Sequence, residues 1–414
     1  MTYTLDLDSI RARFPGLSRS LSGQNCAFFD GPAGSQVPQS VADAVCQYLL
    51  HTNANHDGPF ATSRESDAIL DRAHQRVASF LGAESGDCVA FGANMTTLTL
   101  AFSRALAKTW SPGDEIIVTQ LDHDANVSPW VTAASDAGVV VHQIGIDLDD
   151  CTLKLDQFQS LLNSRTRLLA VGLASNATGT INPVAEMAQQ AHQVGALVFA
   201  DAVHYAPHRL IDFENLGVDF LSCSAYKFFG PHVGILCGRR EHLDELTPYK
   251  LRPATNDLPG KWMTGTQNHE GIAGTAAAVD YLASLASPTL PDDQPRTALT
   301  SAFDAIQTHE HALLEQLLSG LDTIPGLRVW GITDTQRMTE RVPTVSFTWT
   351  DHAPQAVSEQ LAAQGLFVWA GNHYALPFTE AAGLEPEGTL RVGLLHYNTA
   401  DEVDRLLQAL RNMA

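Results

Sequence analysis

Between Glu115 and Lys227 the chain repeats one pattern, in which a short apolar run rich in β-branched residues gives way to an amphipathic stretch and then to another apolar run. The apolar runs are Glu115 to Gln120, Val139 to Ile144, Leu168 to Leu173, Ala196 to Ala200 and Phe220 to Cys223. Runs this short and this continuously apolar read as strands buried on both faces. Helical stretches stand between several of them, including Pro129 to Asp136 and Ala185 to Val194, each stopped by a glycine, Gly138 and Gly195. Few folds accept this order. Strands alternating with helices lie parallel in one covered sheet, so the pattern predicts an α/β fold with a mainly parallel sheet. Ligands bind such sheets beyond the carboxyl ends of the strands, which directs attention to the residues just after each run.

Those residues are Asp122-His123-Asp-Ala-Asn126, Ser175-Asn176-Ala-Thr178, Asp201-Ala-Val-His204, and Ser224 with Lys227. Taken singly, His123 is equally a turn histidine, Asn176 a turn former, Asp201 a cap and His204 a packing residue. Their arrival together on one sheet edge is what predicts a site. Lys227 follows the run Phe220 to Cys223 into a turn closed by Gly230 and Pro231. Alone it reads first as a surface lysine where a strand exits, but a desolvated amine there is the nucleophile that forms Schiff bases with carbonyl compounds. Upstream, Cys88 to Gly92 reads as a strand, followed by Asn94, Met95, Thr96 and Thr97 at a helix start. That segment either offers free N–H groups to a phosphate or is ordinary capping by Asn94 or Thr96. The P-loop and GxGxxG patterns are both absent, so a nucleotide site is not supported.

Pyridoxal phosphate asks for a carboxylate beside its pyridine nitrogen, a flat group against its ring, a phosphate cup and a lysine for its aldehyde. Asp201, His123, the Gly92 to Thr97 turn with Ser224, and Lys227 supply one of each.

Elsewhere, Ile10 to Leu17 predicts a short helix and Phe28-Phe29 a strand breaking into a Gly/Pro turn. Amphipathic helices are expected over Gln39 to Leu50 and Ser66 to Leu81, flanking a polar loop that carries Arg64. A helix from Thr275 to Leu285 runs into a Pro-rich linker over residues 287–295. Beyond it come a long helix, Ala298 to Leu321, and strands Leu327 to Ile332, Val345 to Trp349, Phe367 to Ala370 and Leu390 to Leu395. Thr399 and Glu402 form a capping box for a final helix. These elements predict a large domain over residues 20–290 and a small α+β domain built from 1–19 and 291–414. Arg391 sits within an apolar strand, where its guanidinium suits either a substrate carboxylate or an internal ion pair.

The balance of 25 Lys and Arg against 46 Asp and Glu gives a net charge of -21, which repels nucleic acid and anionic membranes. The first residues carry neither a basic segment nor a long apolar core, so no signal peptide or membrane span is expected. Six scattered cysteines without CxxC spacing suit a reducing cytoplasm and give no metal site.

From Phe14-Pro-Gly-Leu and Phe29-Asp-Gly-Pro-Ala-Gly to Tyr397-Asn-Thr-Ala-Asp-Glu-Val-Asp-Arg the chain resembles the class V aminotransferase group of fold type I enzymes. Within that group it is similar to the branch of cysteine desulfurases and selenocysteine lyases. The resemblance implies a seven-stranded large domain, pyridoxal phosphate, and a homodimer with active sites at the subunit interface. It makes Lys227 the Schiff-base lysine, Asp201 the partner of the pyridine nitrogen and His123 the ring-stacking group. Asn94, Met95 and Ser224 would hold the phosphate; Asn176 would approach the ring hydroxyl, with His204 where relatives usually have glutamine. Gly265 and Thr266 look like the segment lent to the neighbouring subunit. Arg391 matches the arginine that takes the substrate carboxylate, and Arg64 is a further anion contact. Desulfurases carry a loop cysteine within a Gly-His-His-Cys-Ala type motif, whereas this chain reads Gly371-Asn-His-Tyr374-Ala; the histidine usual before the lysine is Tyr226. Tyr374 then becomes a substrate-side residue. The implied activity is β-elimination, carbon-sulfur lyase-like, on a small α-amino acid through an external aldimine and without persulfide chemistry. Amino transfer and racemisation remain alternatives, as does a non-catalytic pyridoxal-phosphate-binding partner protein.

Overall fold

The computed structural model of the chain describes residues 4–286 and 295–414. The first strands are β1 (Ser20–Leu21), β2 (Gln24–Asn25) and β3 (Ala27–Phe28). The central ones are β4 (Val89–Gly92), β5 (Glu115–Thr119), β6 (Val140–Ile144), β7 (Thr166–Gly172), β8 (Leu197–Asp201), β9 (Phe220–Ser224) and β10 (Gly234–Gly238). They form a seven-stranded sheet in the order β4-β10-β9-β8-β7-β5-β6. Only β10 runs antiparallel to its neighbours, β4 and β9. The later strands are β11 (Leu327–Trp330), β12 (Thr344–Trp349), β13 (Leu366–Phe367), β14 (Trp369–Gly371) and β15 (Thr389–Gly393). Of these, β11-β12-β15-β14 make an antiparallel sheet, while β13 pairs with β3 in parallel.

The side-chain alternation of the central strands divides the interior into two cores. Leu168 and Ala170 of β7 join Phe102, Trp130, Phe199 and Phe220 on one face, beneath the helices Met95–Leu106 and Ser128–Ala137. Leu169 and Val171 turn to the other face, where Val77, Met187 and Val279 pack from the helices Ala61–Leu81, Val184–Gln193 and His269–Ser284. A strand covered on both sides has no polar face, which is why the runs of β5, β7, β8 and β9 are mostly apolar; β6, at the sheet edge, is instead partly exposed and carries His142 and Gln143. A third core joins the antiparallel sheet, through Phe347 and Val392, to Leu314 and Leu406 of the helices Pro295–Asp322 and Ala400–Arg411.

Several local expectations change. The helix expected over Ile10 to Leu17 is instead an α-helix, Leu7–Ala12, and a separate 3-10 turn, Pro15–Ser18. Pro15 has no N–H to donate and restricts the residue before it, so the α-helix ends upstream. The helix expected from Ser66 starts at Ala61, and that from Gln39 stays α-helical only to Gln47 before a π turn, Tyr48–Thr52. The Thr399–Glu402 capping box is present. Of the expected linker, residues 287–294 lie outside the described residues. Arg11 of the first helix donates to the Tyr397 carbonyl at 2.6 Å and pairs with Glu402 at 2.9 Å, which ties the start of the chain to its end. Among the described residues no helix is long and apolar enough to cross a membrane.

Candidate active site

The carboxyl ends of β5, β7, β8 and β9 share one edge and open on a cavity of about 930 Å³. Lys227 reaches it from the 3-10 turn Ala225–Lys227 that follows β9. It is only 9% exposed, and its Nζ donates to the Pro32 carbonyl. Burial, and then the charge of Arg391, push this amine down to about 7 from the usual lysine range, with Asp201 pulling the other way. Asp201 ends β8, and its Oδ1 accepts the Val203 N–H at 2.8 Å. Burial raises it to about 6, against the opposing effects of that N–H and of Lys227. Beside it Asp122 is held by Thr119 Oγ1 and, at 2.9 Å, by Asn126 Nδ2. His123 Nδ1 accepts the Ala125 N–H at 3.0 Å, so its ring proton sits on Nε2. Burial, then Lys227 and Arg391, lower it to about 4, and the ring is neutral at pH 7.

One wall is the start of the helix Met95–Leu106. Asn94 Oδ1 accepts the Thr97 N–H at 2.8 Å, so Asn94 rather than Thr96 is the cap, and Ser224 Oγ accepts the Met95 N–H at 2.9 Å. A Cβ on Gly234 would stand 2.3 Å from the Asn94 carbonyl carbon, so glycine is what lets β10 lie against this helix start.

The second sheet supplies the opposite wall. Arg391 of β15 donates from Nη1 to the Asn176 carbonyl at 2.8 Å, while its buried Nε has no partner among the described residues. Burial lowers it to about 9, with Asp30 and Tyr226 acting in the other direction. Asn176 Nδ2 donates to the His373 carbonyl at 2.8 Å, while its buried Oδ1 has no partner among the described residues. His204 Nε2 meets Thr344 Oγ1 at 2.9 Å, and its ring lies edge-on to His208 at 5.5 Å. Tyr374 stacks on His123 at 5.5 Å and 18°. His373 and Tyr374 both adopt left-handed φ, 57° and 56°, a costly backbone for non-glycine residues. The Tyr374 carbonyl, accepting the Asp124 N–H at 2.7 Å, helps to hold it.

The cavity thus gathers Asn94, Met95, His123, Asn176, Asp201, His204, Ser224, Lys227, Tyr374 and Arg391. Arg64 is not among its walls; it lies in the first turn of the helix Ala61–Leu81 and donates to the Pro59 carbonyl at 2.8 Å. Gly265 and Thr266 also lie away from it, in an exposed turn between Trp262 and His269. None of the six cysteines lines the cavity; five are buried, and only Cys46 is exposed. Sequence reasoning missed the carbonyl of Pro32 as the lysine's partner, although the Gly/Pro turn that offers it was visible. It also missed Trp369, whose place follows from pairing with the Arg391 strand.

The family described as aminotransferase class-V matches residues 27–406. The chain belongs to the class V aminotransferase family. Its class V relatives include a cysteine desulfurase of Dickeya dadantii, 31% identical over 100% of this chain and 98% of that protein. Another, from Haloferax volcanii, is 31% identical over 99% of this chain and 97% of its own length. The chain spans 58% of the length of a probable cysteine desulfurase of Mycolicibacterium paratuberculosis, with 33% identity. Among solved structures it is similar to a cysteine desulfurase of Thermococcus onnurineus, with TM-score 0.87, 25% identity, and 99% and 98% of the two chains covered. It is also similar to the Escherichia coli cysteine desulfurase CsdA, with TM-score 0.85, 25% identity and the same coverage. This class V protein is therefore a cysteine desulfurase-like enzyme with the fold type I architecture.

Proposed function

We propose that the cavity holds pyridoxal phosphate and that the protein releases a β-substituent, such as a sulfur group, from an α-amino acid without a thiol nucleophile. The observation that carries this is the joint placement of a buried amine (Lys227), a buried carboxylate (Asp201) and a buried guanidinium (Arg391) in one cavity that no cysteine lines. The cofactor suits the site on structural grounds. Asn176 Oδ1 and Arg391 Nε are buried polar atoms without partners among the described residues, and the helix start at Met95 offers backbone dipoles to an anion. When bound, pyridoxal phosphate supplies an aldehyde that joins amines and a protonated pyridine that withdraws electrons from the bonds of the α-carbon.

The chain's own residues do the rest. Lys227 would hold the aldehyde until the substrate's amine takes its place and, freed as a neutral amine, would take and return a proton at the α-carbon. Asp201 would keep the pyridine nitrogen protonated, neutral His123 would stack on the ring, and Asn94, Met95 and Ser224 would hold the phosphate. Asn176 and His204 would serve the ring hydroxyl. Arg391 takes the substrate carboxylate as a planar fork, and Tyr374 borders the side chain. Gly265 and Thr266 reach a phosphate only in a homodimer, each subunit serving its neighbour, which makes the dimer part of the proposal. Arg64, turned to Pro59, is left out of the single-chain site.

Supplied with cysteine and related β-substituted amino acids, the holoenzyme should form pyruvate, ammonia and the freed substituent without any keto acid. Alkylating its accessible thiols should change the rate by less than about twofold, because the cavity lacks a cysteine. Turnover that requires a keto acid would establish amino transfer instead, and inactivation by alkylation would establish a working thiol.

A pH dependence follows from the lysine. An amine lowered to about 7 is mostly neutral above that pH, so attachment of added cofactor to the apo-protein should quicken up to about pH 7 and then level off. Replacing Arg391 by glutamine removes a cation that favours the neutral form, and the midpoint should rise. Stopped-flow absorbance measures both; a rate still climbing tenfold per unit at pH 9 would mean an ordinary lysine.

A further inference from the structure

Strand register decides which side chains share the cavity mouth. Trp369 of β14 lies directly opposite Arg391 of β15, and directly opposed residues of an antiparallel pair point to the same side. Both line the cavity, yet Arg391 is 5% exposed and Trp369 is 52% exposed. Tyr374 borders the same cavity with 72% of its surface exposed. The backbone of each aromatic is fixed. Trp369 is fixed by the β14–β15 ladder, and Tyr374 donates its N–H to Asn372 Oδ1 at 3.1 Å while its carbonyl accepts from Asp124. The Tyr374 ring stacks on His123. Two large rings on fixed backbone, open to solvent in the single chain, border the cavity that holds a buried cation and give it an apolar rim and a charged interior.

We propose that this mouth selects α-amino acids whose side chain ends in a flat aromatic group. Arg391 takes the α-carboxylate, and Trp369 and Tyr374 cover the aromatic end. The inference rests on the role given to Arg391 above and names the class of side chain, which is larger than the small substrate expected from sequence. Trp369 becomes a specificity-determining residue. A side chain the size of that of cysteine has too little apolar surface to cover two such rings, whereas an aromatic one offers a face to each and arrives at rings already positioned.

The test compares L-phenylalanine with L-alanine as ligands of the holoenzyme, read from the change in the cofactor's visible absorbance and from tryptophan fluorescence. Neither probe carries a leaving group, so elimination consumes neither, and the initial spectral change, read before any amino transfer, reports binding. Phenylalanine should bind about tenfold more tightly or better. Trp369→Ala and Tyr374→Ala should each cut the phenylalanine-to-alanine ratio by about threefold or more, while Arg391→Gln should weaken both ligands and keep the ratio. Equal affinities in the wild type, or a ratio that survives both aromatic substitutions, would overturn the inference. A preparation with no visible cofactor band would overturn the proposed function with it.

Discussion

Lys227→Ala should abolish the visible absorbance of the bound cofactor and lower turnover by at least about a thousandfold. The size of the effect follows from two duties resting on one nitrogen, which binds the cofactor and then serves as the base. No second amine stands by: Lys227 is the only lysine among the described residues that line the cavity. The substitution should leave folding nearly intact, because it trades one hydrogen bond to the Pro32 carbonyl for relief from burying a group that burial already pushes toward neutrality. A thermal midpoint within a few degrees of wild type, together with a lost band, separates chemistry from unfolding. An alanine variant that kept the band would end the assignment of Lys227.

Asp201→Asn is expected to have the next largest effect, a loss of about a hundred- to a thousandfold in turnover. The amide keeps the shape, and its oxygen still accepts the Val203 N–H, but it removes the charge that would keep the pyridine nitrogen protonated. Asp122 cannot stand in. Its oxygens are taken by Thr119 and Asn126, and burial, aided by the nearby Asp201, raises it to about 7. Cofactor affinity should fall as well, which equilibrium titration of the apo-protein measures independently of activity. Turnover within about threefold of wild type would remove Asp201 from the mechanism. Asp201→Glu serves as the companion variant, because restored charge with altered reach should recover part of the loss.

The fold was largely legible because strand and helix leave different periodicities. The five runs between Glu115 and Cys223 each became a strand, with ends shifted by a residue or two. Errors gathered where a backbone constraint or a neighbour, rather than side-chain pattern, sets an end. Pro15 divided the first expected helix, and the helix expected at Ser66 gained a turn upstream to Ala61. The site was legible in proportion to its dependence on strand ends. His123, Asn176, Asp201 and Lys227 follow β5, β7, β8 and β9, and parallel strands bring their carboxyl ends to one edge whatever the loops do. Arg64 had no such guarantee, and its helical turn directs it to Pro59.

What the sequence by itself determined was therefore the sheet, the edge on which the cavity opens, and the residues that edge presents. Only the tertiary structure decided how those residues behave. The amine of Lys227 is lowered because packing removes water from around it and, next, because Arg391 arrives from a separate sheet. Trp369 meets the cavity because β14 pairs with β15 in one register, and Asn94 lies against β10 because Gly234 leaves room. Periodicity along a chain records which side of its own element a residue faces. It holds no record of which distant element comes to face it, and desolvation, charge and close approach all depend on that second fact.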